Sequence, residues 1–199
     1  MKKILIAIIA LATISCGTQK TAQDNSTKPV KETVNTPELK KAPEPEKSLA
    51  QKVNGHLLGK ATKADLMNNP YNSWFNSRYD AYQVDSSIAQ EIGTYMKDVD
   101  VRLYMGTWCG DSKRETPMFY KLMEEAGVSE SKITLITVDR SKSKPVDLVE
   151  GYNVVRVPTI IFYRDGQELG RYVERPRESL EKDILKIVSG QEYKHSYQN

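Results

Sequence analysis

The sequence predicts an α/β fold over residues 83–190, and three observations carry that reading. Helical and strand periodicities alternate along this stretch. Asp165-Gly166 stands between two strand-like runs, a strong hairpin signal. A third strand-like run, Val101 to Met105, leads through a short turn into a helical pattern that begins near Cys109.

The elements follow in order. Ser87-Ile88-Ala89-Gln90 has capping-box spacing, and Ile88, Ile92, Tyr95 and Met96 recur at helical intervals. Val101 to Met105 reads as a strand. Ser112 to Ala126 reads as a helix with Met118, Phe119, Leu122 and Ala126 on one side. Ile133 to Val138 is β-branched and strand-like, and a short helix fits Val146 to Tyr152. Thr159 to Tyr163 and Glu168 to Val173 form the hairpin strands. Pro176 opens a last helix whose buried face carries Leu180, Ile184, Ile187 and Val188, with Gly190 just past its end. The order is α-β-α-β-α-β-β-α. Residues 191–199 are polar and are expected to fray.

Residues 55–82 read as an N-terminal helical extension. Thr62 and Asp65 have capping-box spacing, and Asn69-Pro70 places an N-cap residue before a proline at the first helical position. Trp74, Phe75, Tyr79 and Tyr82 follow as packing residues.

The start of the chain is an export signal by pattern. Lys2 and Lys3 precede the apolar run Ile4 to Ala12, which is shorter than the ~20 residues a membrane-spanning helix needs. Residues 1–15 are expected to be removed before Cys16. The junction resembles a bacterial lipobox: Ile14 and Ser15 fit, and Thr13 departs from the usual leucine. That resemblance makes Cys16 a lipidation site, the alternative being an ordinary cleaved signal with Cys16 incidental. Gly17 follows, not the aspartate associated with inner-membrane retention. The expected location is the periplasm or cell envelope, lipid-anchored, at the outer membrane in preference to the inner. Residues 16–54 hold four prolines, Pro29, Pro37, Pro43 and Pro45, and no aromatic residue precedes Tyr71. Such a segment buries too little apolar surface to offset its ordering entropy and reads as a disordered tether. Stretched, it reaches on the order of 100 Å.

Composition excludes other classes. The formal charge is +3, and the two leader lysines account for two of those charges, leaving +1. Cationic and anionic residues are interleaved, which argues against nucleic acid as a partner. The two cysteines form no disulfide framework, and His56 and His195 sit apart in polar surroundings, so neither a metal nor another cofactor is expected.

The residues around Cys109 resemble the thioredoxin family. Trp108-Cys109 follows a strand and opens a helix. Pro117 lies eight residues after the cysteine, where the family has a helix-kinking proline. Val157-Pro158-Thr159 stands before the next strand, where the family keeps a cis-proline facing the cysteine. The resemblance covers about half the chain and implies a thioredoxin-like fold, a central mixed β-sheet flanked by helices. Three departures stand out. Ser112 replaces the second cysteine of Cys-x-x-Cys, Leu103 replaces a buried acid carried on the preceding strand, and Asp111 sets a negative charge beside the thiol.

A thiolate exchanges with disulfides through a mixed disulfide. A helix N-terminus favours the thiolate form, and Cys109 is placed for that effect. Ser112 is positioned to donate a hydrogen bond to it, Lys113 and Arg114 to attract it, and Asp111 to oppose it. The resemblance gives Trp108, Cys109, Ser112 and Pro158 catalytic places. It leaves Gly110, Asp111, Val157 and Thr159 to hold substrate, an extended segment pairing with the Val157 backbone. Helix capping is the alternative role for Asp111 and Ser112, and a small buried hydrophobe the alternative for Cys109. Without a resolving thiol, the mixed disulfide needs an external thiol or a second protein. The expected function is a membrane-tethered thiol–disulfide oxidoreductase or isomerase acting on protein or small-molecule thiols and disulfides through one nucleophilic cysteine. The alternative is a redox-inactive binding module of the same fold. Iron–sulfur binding is a weaker third reading, and no Thr-x-x-Cys peroxidase signature is present.

Overall fold

A computed structural model describes residues 47–198, which belong to one compact unit. The signal, Cys16 and the tether as far as residue 46 lie outside the described residues. Six strands form one sheet: β1 (Gln51–Val53), β2 (His56–Ala61), β3 (Val99–Met105), β4 (Ile133–Thr137), β5 (Thr159–Arg164) and β6 (Gln167–Val173). Their order is β1-β2-β4-β3-β5-β6. Only β3 and β4 are parallel, and every other neighbouring pair is antiparallel. The helices are α1 (Lys63–Leu66), α2 (Asn72–Ala81), α3 (Ser86–Tyr95), α4 (Gly110–Glu125), α5 (Val146–Val149) and α6 (Leu180–Ser189). The expected mixed α/β sheet flanked by helices is the fold observed.

The two faces of the sheet are covered unequally. Val99, Val101, Leu103 and Met105 alternate along β3 onto one face, where they join Phe75, Ile92, Phe119, Leu122 and Ile184 in the main core. The opposite face carries Tyr104, Ile136 and Ile161 beneath Val149 and Val157, a smaller cluster closed by Trp108 and Tyr152. Each fully buried large apolar side chain contributes roughly 1.5–3 kcal/mol. The C-terminal end of β3 is therefore buried on both sides, and the chain leaves it into α4 from a fixed point.

The N-terminal segment departs from the expected helical extension. It opens with the β1–β2 hairpin, so the tether stops short of residue 54. Asn54 and Gly55 both have positive φ (51° and 80°), and Val53 pairs with His56 across this two-residue turn. The Asp165-Gly166 turn has the same form, with φ of 51° and 76°. The capping box of Thr62 and Asp65 is present at α1. The Asn69–Pro70 peptide is cis and does not open α2. The carbonyl of Asn68 accepts from the N–H groups of Tyr71 and Asn72, and the helix begins after that turn. Phe75 is fully buried against Tyr120 of α4 and Lys121 donates to the Tyr82 carbonyl, so α2 belongs to the core rather than to an appendage.

Two other helix starts shift. Asp85, not Ser87, caps α3, its carboxylate accepting from Ser87 and Ile88 N–H. Ser179, not Pro176, caps α6, because the Asp183 carboxylate accepts from Arg177 and Glu178 N–H and folds that loop into a turn. Gly190 ends α6 in the left-handed conformation, φ 77°. The tail is not frayed: Tyr193 donates to Asp183, Ser196 donates to the Arg175 carbonyl, and Arg156 stacks on Tyr197.

Gly93 of α3 packs against the residue that ends α4, and a Cβ there would stand 2.3 Å from the Ala126 carbonyl oxygen. Backbone cannot yield as a flexible side chain would. Gly93→Ala is expected to destabilise the fold by about 1–3 kcal/mol, despite alanine's better helix propensity, as read from urea unfolding.

Candidate active site

Strand β3 delivers the chain to Gly106, and α4 receives it at Cys109. The Cys109 N–H donates to the Gly106 carbonyl (2.9 Å), closing the turn, and the Cys109 carbonyl accepts from Lys113 N–H (3.0 Å) as the helix begins. Cys109 is thus the N-cap of a 16-residue helix. Its side chain is part-buried, and its thiol donates to the carbonyl oxygen of Val157 across 3.3 Å. That carbonyl belongs to the cis Val157–Pro158 peptide. The two segments singled out in the sequence, 108–112 and 157–159, therefore meet at the sulfur.

Ser112 is fully buried, and its oxygen accepts from the Gly106 N–H (3.2 Å). The hydroxyl braces the active-site turn, where the sequence places it as a donor to the thiolate. Arg114 does not serve the sulfur either. Its guanidinium pairs with Asp111 and with Glu115, each at 2.7 Å, so the charge of Asp111 beside Cys109 is offset within the helix. Gly110 has open space where a Cβ would stand, which leaves the approach to the sulfur uncrowded there. Thr159 is buried and turns its hydroxyl to the Arg156 carbonyl (2.7 Å), bracing the loop that carries Pro158. The Val157 side chain packs in the smaller core cluster, so only its backbone faces the site.

Trp108 is held as a rigid wall. Its indole N–H donates to the Val138 carbonyl (2.9 Å), and Arg140 lies over the ring at 5.1 Å. A Cβ at Gly106 would stand 2.4 Å from the indole, so only glycine admits this position.

Two groups escaped the sequence reading. Thr107, buried beside Trp108, accepts from Leu57 N–H (3.1 Å) and lies 3.4 Å from His56 Nδ1, tying the hairpin to the active-site turn. No local pattern announces a pairing fifty residues apart. Glu115 is a buried acid arriving on α4, where the sequence reading stopped at Leu103 on β3. It accepts from the Tyr172 hydroxyl at 2.7 Å. The signal was present: 112, 115, 119 and 122 form the inward stripe of α4, and Glu115 interrupts it. Among the described residues no group of His, Cys, Asp or Glu is arranged to hold a metal ion.

Burial and the Glu115 carboxylate push the Tyr172 phenol well above its ordinary range, and burial with the Glu181 carboxylate does the same to Tyr82. Burial raises Tyr104 to about 12. The folded chain thus keeps protons that the unfolded chain releases above a pH of about 10. Their contribution to stability is complete below that pH and is lost as pH rises through the folded values, so urea midpoints should fall steeply between about pH 10 and 12. Tyr172→Phe leaves the buried Glu115 with one donor fewer. It is expected to cost about 1–3 kcal/mol at neutral pH while making the alkaline decline shallower.

Residues 82–186 match the family model described as Thioredoxin. The chain is 32% identical over 93 residues to Thioredoxin-2 of Saccharomyces cerevisiae, covering 47% of this chain and 79% of that one. It is 30% identical over 97 residues to Thioredoxin of Staphylococcus epidermidis, covering 48% and 86%. It is also 31% identical over 86 residues to the TPR repeat-containing thioredoxin TDX of Arabidopsis thaliana. There the match takes in 43% of this chain and only 21% of the plant protein's length. With more than half its length matched, and with a cysteine at a helix N-terminus facing a cis-proline loop, the chain belongs to the thioredoxin family.

Proposed function

We propose that the protein is an exported, lipid-anchored thiol–disulfide oxidoreductase or isomerase that works through Cys109 alone. The observation that carries the reading is the 3.3 Å contact between the Cys109 thiol and the cis-proline loop, with a buried serine where a resolving thiol would be. The Cys109 thiolate attacks one sulfur of a partner disulfide. A Cys109–partner disulfide forms, the original bond breaks, and the displaced sulfur leaves as a thiolate. A second thiol, from the same partner or from an external donor, then attacks the mixed disulfide and returns Cys109. When the partner's own thiol does this the cycle is redox-neutral and isomerises the partner. When an external dithiol does this the partner is reduced: the donor's first thiol attacks the partner's sulfur and returns Cys109, and its second thiol then closes the donor's own disulfide and releases that sulfur as a thiol, two electrons passing to the partner.

Ser112 cannot complete the second step, so the mixed disulfide persists. Acid-quenched extracts should yield Cys109-linked adducts on non-reducing gels that reductant dissolves. Ser112→Cys should lose most of them, form an internal disulfide with Cys109 and gain insulin-reducing activity. An intramolecular thiol competes at an effective concentration of about millimolar or more. Cys109→Ser should show neither behaviour. The role of Ser112 as a brace for Gly106 also suits a redox-inactive binding module. On that reading Cys109 alkylates no faster than a free model thiol and Cys109→Ser retains full function. Both results together would remove the oxidoreductase assignment.

The anchoring rests on the basic start, the short apolar run and the Ser15–Cys16 junction. Two acyl chains hold a protein on a membrane stably where one does not. Cys16→Ser should move the protein from the membrane fraction to the soluble one. Retention through a carbonate wash would contradict it.

A further inference from the structure

Beside Trp108, on the hairpin side of the site, lies a cavity of about 260 Å³. Val53, Leu57, Leu58, Trp108, Val138 and Arg140 are among the residues that line it. We propose that it is a specificity pocket that receives one apolar side chain of the disulfide-bearing partner, with Arg140 taking a carboxylate next to that side chain. The proposal deepens the reading of Cys109 as an exchange nucleophile and rests on it for calling the occupant a substrate.

The pocket is fixed relative to the sulfur. Trp108 adjoins Cys109 in the chain, and its indole is tied to Val138. The opposite wall is the β1–β2 hairpin, which Leu57 N–H fastens to Thr107, two residues before the cysteine. The hairpin lies outside residues 82–186, the part matched to the family model. Its size selects the occupant. Sites for whole small molecules usually span about 300–1,000 Å³. A cavity below that range suits a single side chain on an extended segment.

Charge selects what lies beside that side chain. The Arg140 guanidinium stacks on Trp108 and pairs with no carboxylate among the described residues. Asp139 adjoins it in sequence and also lines the cavity, but its carboxylate is engaged within its own loop, accepting from Ser143 N–H, Lys144 N–H and the Ser141 hydroxyl. A cation at the rim of an apolar pocket, with its neighbouring acid committed elsewhere, is complementary to a carboxylate on the incoming segment.

The probes are N-acetyl-leucine, its amide N-acetyl-leucinamide, and N-acetyl-glycine, titrated against the full chain in detergent micelles. The Trp108 indole N–H resonance is the reporter. N-acetyl-leucine should shift it saturably and bind roughly three- to fivefold tighter than the amide, the scale of an exposed ion pair. N-acetyl-glycine should bind about tenfold more weakly or not at all, lacking the buried side chain. Arg140→Gln should make acid and amide equal while leaving the leucine-over-glycine preference. A non-saturable shift, equal binding of acid and amide to the unaltered protein, or an acid preference that survives Arg140→Gln would overturn the proposal. None of these readouts involves the sulfur. If the Cys109 alkylation and adduct experiments fail while the acid preference holds, the exchange reading falls and the pocket stands as a ligand site. If the titration fails while the adducts form, only the pocket falls.

Discussion

The indole of Trp108 lies where a side chain on Gly106 would have to stand, and the active-site turn is organised around that contact. With no Cβ in the way, the ring folds back over the end of β3 and reaches the Val138 carbonyl. The Gly106 N–H is then free to donate to Ser112, and its carbonyl accepts from Cys109. Strand end, turn and helix start are thereby locked together by three hydrogen bonds and one ring. A thiol placed by such a turn has little freedom. It meets the Val157 carbonyl because β3 and β5 are antiparallel neighbours, which brings the start of β5 to the end of β3.

Beneath the site, buried acids are matched by phenols. Tyr172 donates to Glu115, Tyr82 to Glu181 and Tyr193 to Asp183. A buried carboxylate without donors costs several kcal/mol, and each of these is met by a side chain from a different element. The pairs stitch α4 to β6, the end of α2 to α6, and the tail to α6. Arg114 extends the first pair to the surface by bridging Glu115 and Asp111. The charge beside the cysteine and the acid in the core thus share one guanidinium.

The β1–β2 hairpin shows how legible a local signal is and how easily it is passed over. Asn54-Gly55 is the same kind of two-residue turn as Asp165-Gly166 and adopts the same positive φ values. The second turn stands out because β-branched runs flank it. The first is flanked by Lys52, Val53, His56 and Leu57, a weaker pattern in a region whose helix caps drew the reading towards helix. Asp85 and Ser179 took the caps expected of other residues because the choice among adjacent Ser, Asp and Pro depends on how the preceding loop packs. The tail looked free because partners that tie it to the domain, among them Asp183, Arg175 and Arg156, lie across the fold.

The resemblance to the thioredoxin family supplied the expectation that the Pro158 loop faces Cys109; the sequence by itself determined the α/β order from residue 87 onwards, the thiol at a strand-to-helix junction and the glycine-bearing turn of β5–β6. These are local properties, written in periodicity, in proline's missing N–H and in glycine's freedom at positive φ. Tertiary structure alone decided what Ser112 bonds to, where Arg114 spends its charge, that Glu115 is the buried acid, and that a hairpin fifty residues upstream walls the site. Each of those depends on which side chains arrive at one point from distant parts of the chain. Such arrivals follow from sheet register and helix packing, which no single segment of the sequence contains.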